Sequence, residues 1–297
     1  MRAVALVFSV ILLAACGGRD RLEYVPVRSA AMNGADLRYA VYTPPDFRSD
    51  ERLPLVVFLH GGGDQPRNFE RYGVAQRLDE AITAGRIPRV VVVLPQGDNG
   101  FWANWWDGTR RYEDWILMEL IPQVRRAYHT EACPEGCHIM GVSMGGAGTM
   151  RFALRYPETF ASATVLSGPI FDAKRMVEFV DDRLYALFIP THRVFGPPRS
   201  LEAVAHEDPF QVWSEPRDLR VRLFLAWAEG DREGIRESNI ALHEHLEEAG
   251  IPHHGEEFEG EHNWYSWAPV IERAIAMQVG ADTPPEADED DDEGSFD

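Results

Sequence analysis

Basic charge is in short supply in this sequence. Lys and Arg together number 29 against 48 Asp plus Glu, which leaves a formal net charge of −19 over 297 residues. Binding to nucleic acid draws on clustered Lys and Arg that displace counterions from phosphates, so the balance argues against such a partner. An apolar run long enough to cross a bilayer is also missing at the N-terminus: Ala3 to Ala15 falls short of the roughly 20 residues a spanning helix needs. Cysteine is rarer still, at positions 16, 133 and 137 only. What is present is 45% hydrophobic and 11% aromatic side chains, the composition of a globular chain and not of a disordered one. The length exceeds the common domain size, but α/β folds run to about 250 residues as one unit, so a second domain is not required.

The two ends read differently from the middle. Arg2 followed by the apolar stretch to Ala15 has the form of a secretion signal. Leu13-Ala14-Ala15-Cys16 resembles a bacterial lipoprotein box, which implies cleavage before Cys16, lipid attachment at that cysteine and a membrane-anchored protein of the cell envelope. Residues 16–22 then form a linker, with Gly17 and Gly18 as a flexible start. At the other end nine acidic residues and no basic one lie between Asp282 and Asp297, so 281–297 reads as a solvated, disordered tail. Setting Cys16 apart leaves Cys133-Pro134-Glu135-Gly136-Cys137. In an oxidising compartment the pair reads most simply as a local disulfide; free thiols, or a zinc site with His129 and His138, are the alternatives, though the spacing fits no common zinc pattern.

Between the ends, residues 23–280 alternate strand and helix patterns. Glu23 to Ser29 and Asp36 to Tyr42 read as a hairpin turning at Asn33-Gly34, a pair that favours positive φ. Leu55 to Leu59, Val90 to Leu94, His138 to Val142, Ala163 to Leu166, Val221 to Trp227 and Glu256 to Phe258 read as strands. Val90 to Leu94 is apolar throughout, as a strand covered on both faces should be. Helical spacing runs from Phe69 to Ala84, Asp114 to Tyr128 and Met144 to Tyr156. The alternation predicts an α/β fold with a mainly parallel sheet covered by helices on both faces. The proline-rich stretch 171–220 interrupts the rhythm and is far longer than an ordinary connection, which marks it as a lid-like insertion.

The chemistry concentrates in three places. Gly141-Val142-Ser143-Met144-Gly145 fits G-x-S-x-G with a strand before it and a helix after it, a context that puts Ser143 on a sharp turn at the sheet's carboxyl edge. A serine hydroxyl needs a base, and the base needs a carboxylate to orient it. Asp231 follows one strand and His262 follows the next, in the chain order Ser, Asp, His. Glu229 competes with Asp231, and His253 and His254 compete with His262, but the two histidines precede the last strand. An oxyanion needs N–H donors; Met144, after the serine, is one, and Gly62 in His60-Gly61-Gly62-Gly63 is the candidate for the other. Trp102, Trp105 and Trp106, in a loop with Asn99, Asn104 and Asp107, would offer flat apolar faces beside polar groups to a sugar or an aromatic acyl ligand. Ordinary core packing is the alternative.

The stretches LPLVVFLHGGG, RVVVVLPQG, YEDWILMELIPQV, HIMGVSMGGAGTM and GEHNWYSW resemble the esterase family that includes esterase D, feruloyl and enterochelin esterases, S-formylglutathione hydrolases and the mycolyltransferases. The resemblance covers most of the region from Tyr39 to Trp267. It implies an α/β-hydrolase fold, with Ser143 as nucleophile, His262 as base, Asp231 as its acid partner and Gly62 and Met144 as oxyanion donors. No metal or organic cofactor is implied. The expected activity is hydrolysis of a carboxylic ester, small or attached to a glycan, through an acyl-enzyme. Acyl transfer to a sugar hydroxyl uses the same machinery, and a non-catalytic glycan-binding envelope protein is the reading from another class.

Overall fold

Eight strands form one sheet in the order β1-β2-β4-β3-β5-β6-β7-β8. The computed structural model describes residues 21–280 apart from 183–186, 188, 198–200, 202–204 and 218; the signal segment, Cys16 and the acidic tail lie outside the described residues. β1 (Leu22–Ser29) and β2 (Ala35–Tyr42) pair as the expected hairpin, turning where Asn33 and Gly34 both take positive φ. β2 lies antiparallel to β4 (Val91–Pro95). From there β3 (Leu55–Leu59), β5 (Cys137–Val142), β6 (Ser162–Leu166), β7 (Arg222–Gly230) and β8 (His254–Glu261) continue in parallel.

β3 and β4 are apolar at every position because both faces are covered, and β5 and β6 are likewise buried throughout. Side chains of a strand alternate between faces, so Leu55, Val57 and Leu59 join one core while Val56 and Phe58 join the other. The first core is closed by helices α4 (Ile121–Tyr128), α5 (Met144–Arg155) and α9 (Glu233–Glu248) through residues such as Val124, Phe152 and Leu242. The second is closed by α2 (Val74–Thr83) and α10 (Trp264–Val279) through Leu78, Trp267 and Ile271. Each fully buried aliphatic or aromatic side chain contributes about 1.5–3 kcal/mol relative to exposure, and dozens are buried on the two faces.

Departures from the sequence reading have local causes. The helix expected from Phe69 to Ala84 is two pieces, α1 (Arg67–Arg71) and α2, parted at Gly73, whose φ of 78° lies outside the helical region. The helix expected from Asp114 begins as α3 (Tyr112–Asp114) and widens into a π turn at Trp115–Leu120 before α4. Pro122 follows that wide turn, and its missing N–H and bulky ring cannot continue a regular ladder. β8 is longer than the three residues expected; its Glu256, Glu257, Glu259 and Glu261 hide the strand pattern, and charge of this kind suits a sheet edge. The stretch between β6 and β7 carries α6 (Ala173–Asp181), α7 (Thr191–Phe195), a 3₁₀ turn at Ala205–Glu207 and α8 (Pro209–Val212).

One ion cluster pins that stretch to α3 and α5. Glu113, with no exposure to solvent, accepts from Arg151 Nε at 2.9 Å and from the Asn104 N–H at 3.0 Å, and its other oxygen faces Tyr156 and Arg155. Arg151 also bridges Glu207 at 2.8 Å. Burial pushes both carboxyls up, but the Arg151 guanidinium and the hydrogen bonds more than offset it and hold them below the ordinary glutamate range. A depressed folded pKa contributes stability that is complete above the unfolded value, near 4.5, and is lost as pH falls through the folded value. Glu113→Gln should therefore lower the unfolding free energy at pH 7 by about 3 kcal/mol, the scale for breaking a buried pair, and should flatten the acid limb of stability. Urea denaturation between pH 7 and pH 3.5 checks both, and an unchanged acid limb would refute the assignment.

Candidate active site

Five polar residues stand one position beyond the ends of five parallel strands. His60 follows β3, Ser143 follows β5, Ser167 follows β6, Asp231 follows β7 and His262 follows β8. Side chains from distant parts of the chain are thereby gathered at the carboxyl edge of the sheet, where the loops of such sheets build sites.

Ser143 sits on a strand-to-helix turn too tight for side chains at its neighbours. A Cβ on Gly141 would lie 2.4 Å from the Gly145 carbonyl oxygen, and one on Gly145 would lie 1.9 Å from the Leu59 carbonyl oxygen. The turn holds Ser143 at φ 54° and ψ −122°, a region that residues with a side chain rarely occupy. Its N–H donates to the Leu166 carbonyl at 2.9 Å, and α5 begins at the next residue.

His262 lies between Ser143 and Asp231. Its Nε2 is 2.8 Å from Ser143 Oγ, and its Nδ1 bonds Asp231 Oδ1. Burial pushes the Asp231 carboxyl up, but hydrogen bonds with His262 and Ser167 and the Ala228 N–H hold it below the ordinary aspartate range. An ionised Asp231 keeps the proton of His262 on Nδ1, which leaves the Nε2 lone pair facing the serine hydroxyl. Glu229 is exposed, and His254 opens β8 opposite Phe224 at the far edge, so neither competing group reaches the site. His253 bonds His243 instead.

Three supporting residues were not picked out from sequence. Ser167, fully buried, accepts from Trp267 Nε1 at 3.0 Å and passes its own hydrogen to Asp231. Trp267 packs the last helix on the sheet, and its ring also meets that of His262 edge-on at 4.8 Å. His60 is the third. Burial pushes its pKa down, and the neutral ring accepts the Gly97 N–H at Nε2, 3.0 Å, so Nδ1 is the nitrogen that donates to the Gly61 carbonyl, at 2.8 Å. That carbonyl also takes the Asp64 N–H. A trans peptide directs its C=O and N–H oppositely, so fixing the Gly61 oxygen fixes the direction of the Gly62 N–H. The signal for Ser167 and His60 was their place immediately after an apolar run.

Gly62 and Met144, the two expected N–H donors, both line a cleft of about 860 Å³ together with Ser143 and His262. A Cβ on Gly62 would come within 4.0 Å of Met144 Cβ, so the two residues are close neighbours on the wall of the cleft. Phe101, Ile170, Phe171 and Phe179 supply an apolar side to the cleft.

The expectation for Trp102, Trp105 and Trp106 is corrected: none lines the cleft. Trp102 is 1% exposed, with its Nε1 on the His60 carbonyl at 3.2 Å. Trp105 is buried beneath the Arg193 guanidinium. Trp106 is 61% exposed and packs on Gly196, away from Ser143. Positive φ at both Phe101 and Trp102 turns the loop so that Phe101 reaches the cleft and the tryptophans do not, a backbone choice that composition cannot signal. Cys133 and Cys137 form the local disulfide. His138 bonds Ser162 Oγ at 2.8 Å, so the zinc alternative has lost its ligands, and among the described residues no group of three or more His, Cys, Asp or Glu could hold a metal ion.

The sheet order, the turn at Ser143 and the placement of Asp231 and His262 after successive strands define an α/β-hydrolase. The family described as "Putative esterase" matches residues 29–276, and the chain belongs to it. It is 28% identical over 261 residues to Esterase Rv1288 of Mycobacterium tuberculosis, covering 82% of this chain and 56% of that protein; it thus spans little more than half of that relative's length. An acetyl esterase of Caldicellulosiruptor saccharolyticus is 28% identical over 226 residues, covering 76% of this chain and 83% of its own. Among solved structures, the fluorophosphonate-binding serine hydrolase FphF of Staphylococcus aureus superposes with a TM-score of 0.71 at 24% identity, over 88% of this chain and 99% of its own.

The strain at Ser143 gives a stability test. Residues with a side chain held in such regions cost about 1–3 kcal/mol, and glycine escapes most of that. Ser143→Gly should unfold at a free energy about 1 kcal/mol above Ser143→Ala, since both lose the hydroxyl and only the alanine keeps the Cβ. Thermal denaturation of the two variants side by side checks this; an alanine variant as stable as the glycine one would mean that the turn is unstrained.

Proposed function

We propose that the protein is a serine carboxylic-ester hydrolase. The observation that carries the reading is the continuous hydrogen-bonded series from Ser143 Oγ through His262 to Asp231, standing in a cleft with Gly62 and Met144. Ser143 Oγ attacks the ester carbonyl carbon while His262 Nε2 takes its proton, and Asp231 stabilises the imidazolium. The carbonyl oxygen becomes an oxyanion held by the Gly62 and Met144 N–H groups, each such donor contributing about 2.7–4 kcal/mol to the rate. Collapse breaks the bond to the leaving oxygen, which receives the proton from His262. Water, activated by the same histidine, then releases the acid from the acyl-enzyme. The apolar wall of Phe101, Ile170, Phe171 and Phe179 suits an apolar or aromatic acyl group, and the stretch between β6 and β7 supplies Ile170, Phe171, Phe179 and Ile189, as a cap over the cleft.

The relatives bear on the chemistry: two carry the names esterase and acetyl esterase, and another solved structure of this fold, with a TM-score of 0.70 at 17% identity, is a ferulic acid esterase. Aromatic acyl esters are accordingly included among the proposed substrates, with esterified glycans as a second class. A fluorophosphonate probe should add to one residue, Ser143, and Ser143→Ala should lose at least about a thousandfold in kcat/KM on p-nitrophenyl acetate. Mass spectrometry of the labelled protein and burst kinetics read the two; a loss below about tenfold in Ser143→Ala would remove Ser143 from the role.

The envelope location rests on the segment ending at Cys16. Lipid on Cys16 would tether the enzyme to a membrane, each buried CH₂ contributing about 0.8 kcal/mol. Cys16→Ser should move the protein from the membrane to the soluble fraction, and unchanged fractionation would overturn the anchor.

A further inference from the structure

The geometry points to Tyr265, backed by Tyr72, as the binding site for the alcohol half of the ester, and to an alcohol that bears a ring with a flat apolar face. This rests on the esterase reading above and adds to it which side of Ser143 takes which half of the substrate. Tyr265 is 78% exposed, among the most exposed large apolar side chains of the described residues, and it lines the same cleft as Ser143. It is not loosely held. Asn263 caps α10 by accepting the N–H groups of Tyr265 and Ser266 at 3.0 and 3.1 Å, and the Ser266 hydroxyl takes the Glu261 N–H at 2.9 Å. The side chain meets Tyr72 at a ring separation of 5.2 Å, edge to face, and Tyr72 in turn stacks on buried Trp264 at 5.7 Å with planes 6° apart. Trp264 is anchored through Nε1 on Asp64, 3.1 Å away. A solvent-facing tyrosine is thus backed by two rings and held beside the site, where packing of the core does not call for it.

The chemistry of the leaving group assigns its partner. When the tetrahedral intermediate collapses, the C–O bond breaks with its electron pair on the alcohol oxygen, and the proton that oxygen receives comes from His262 Nε2. The alcohol oxygen must then lie within hydrogen-bond reach of His262, so the rest of the alcohol leaves the cleft past the residues that share the histidine's turn, Asn263 and Tyr265. The acyl half is left with the other wall, where Phe101, Phe171 and Phe179 pack together with centroids 5.0 to 6.3 Å apart. A tyrosine face with a hydroxyl at its tip gains from a ring that offers C–H or π surface and polar edges. A pyranoside and an aryl alcohol both meet that description.

The test compares ethyl acetate, phenyl acetate and methyl 6-O-acetyl-glucopyranoside as substrates for the unaltered chain, Tyr265→Ala and Tyr265→Phe. The readout is the ratio of kcat/KM for each ring-bearing ester to that for ethyl acetate, which cancels any general disturbance of the site. Tyr265→Ala should lower that ratio about fivefold for at least one ring ester, mainly through KM, and Tyr265→Phe should restore most of it, on the scale of an aromatic contact. A fall confined to the pyranoside identifies a carbohydrate alcohol, and one confined to phenyl acetate an aromatic alcohol. Ratios unchanged within twofold for both ring esters in Tyr265→Ala would overturn the assignment while leaving the esterase reading intact. Turnover of none of the three esters by the unaltered chain would instead overturn the esterase reading and this assignment with it.

Discussion

The first turn of α5 lies against the end of β3 so closely that the Leu59 carbonyl oxygen occupies the space a side chain at Gly145 would need. This approach governs the rest of the site. It lets the helix start one residue after Ser143, which forces the serine into its strained conformation and lifts Oγ off the sheet edge. It also brings the loop after β3 against the same turn, where a Cβ on Gly61 would lie 3.4 Å from Ser143 Cβ. Ser143 Oγ and the Gly62 and Met144 N–H groups are therefore positioned by one contact, before any ligand arrives, and N–H groups fixed in advance need no reorganisation when charge develops beside them.

Asp231 and His262 depend on a second feature, the unequal length of the strands. Val142, Leu166 and Ala226 are in register at the ends of β5 and β6. β7 continues to Gly230 and β8 to Glu261, so Asp231 and His262 arrive from strand tips that overreach their neighbours. Between Ala228 and Gly230 the pairing with β8 shifts by one residue, and Gly260, at φ 140°, lies in that bulge. A bulge of this kind bends the strand and re-aims the side chains just beyond it. Here the side chain re-aimed is that of His262.

The parts of this arrangement that were readable in sequence share a physical origin. Val56 to Leu59 and Val91 to Leu94 are apolar at every position because two layers of helix cover them, and a doubly covered strand leaves that mark however the chain is connected. The glycines at 141 and 145 mark the turn because no other residue fits. Asp231 and His262 were readable because each follows such a strand. The rest was hidden for equally physical reasons. β8 carries four glutamates because it is an edge strand, and charge on an edge erases the apolar pattern. The destinations of Trp102, Trp105 and Trp106 depend on two consecutive positive φ angles, and nothing in a loop's composition distinguishes a tryptophan under the sheet's covering from one beside a ligand. Tyr265 carried no pattern of its own because exposure is a property of the folded surface.

The buried polar groups explain why the edge of the sheet is rigid where it matters. Neutral His60, Ser167 and ionised Asp231 would each be costly in an apolar interior if left without partners. Each is satisfied, and satisfied by the groups it positions: His60 by the Gly61 carbonyl and the Gly97 N–H, Ser167 by Trp267 and Asp231, Asp231 by His262 and the Ala228 N–H. Displacing any one of them would strand a polar partner in a region with little water, so the alternatives to the observed geometry are unfavourable. The net charge of −19 has little part in this. The groups of the site are held by short-range hydrogen bonds beneath the surface, where a single unpaired partner outweighs many screened charges outside.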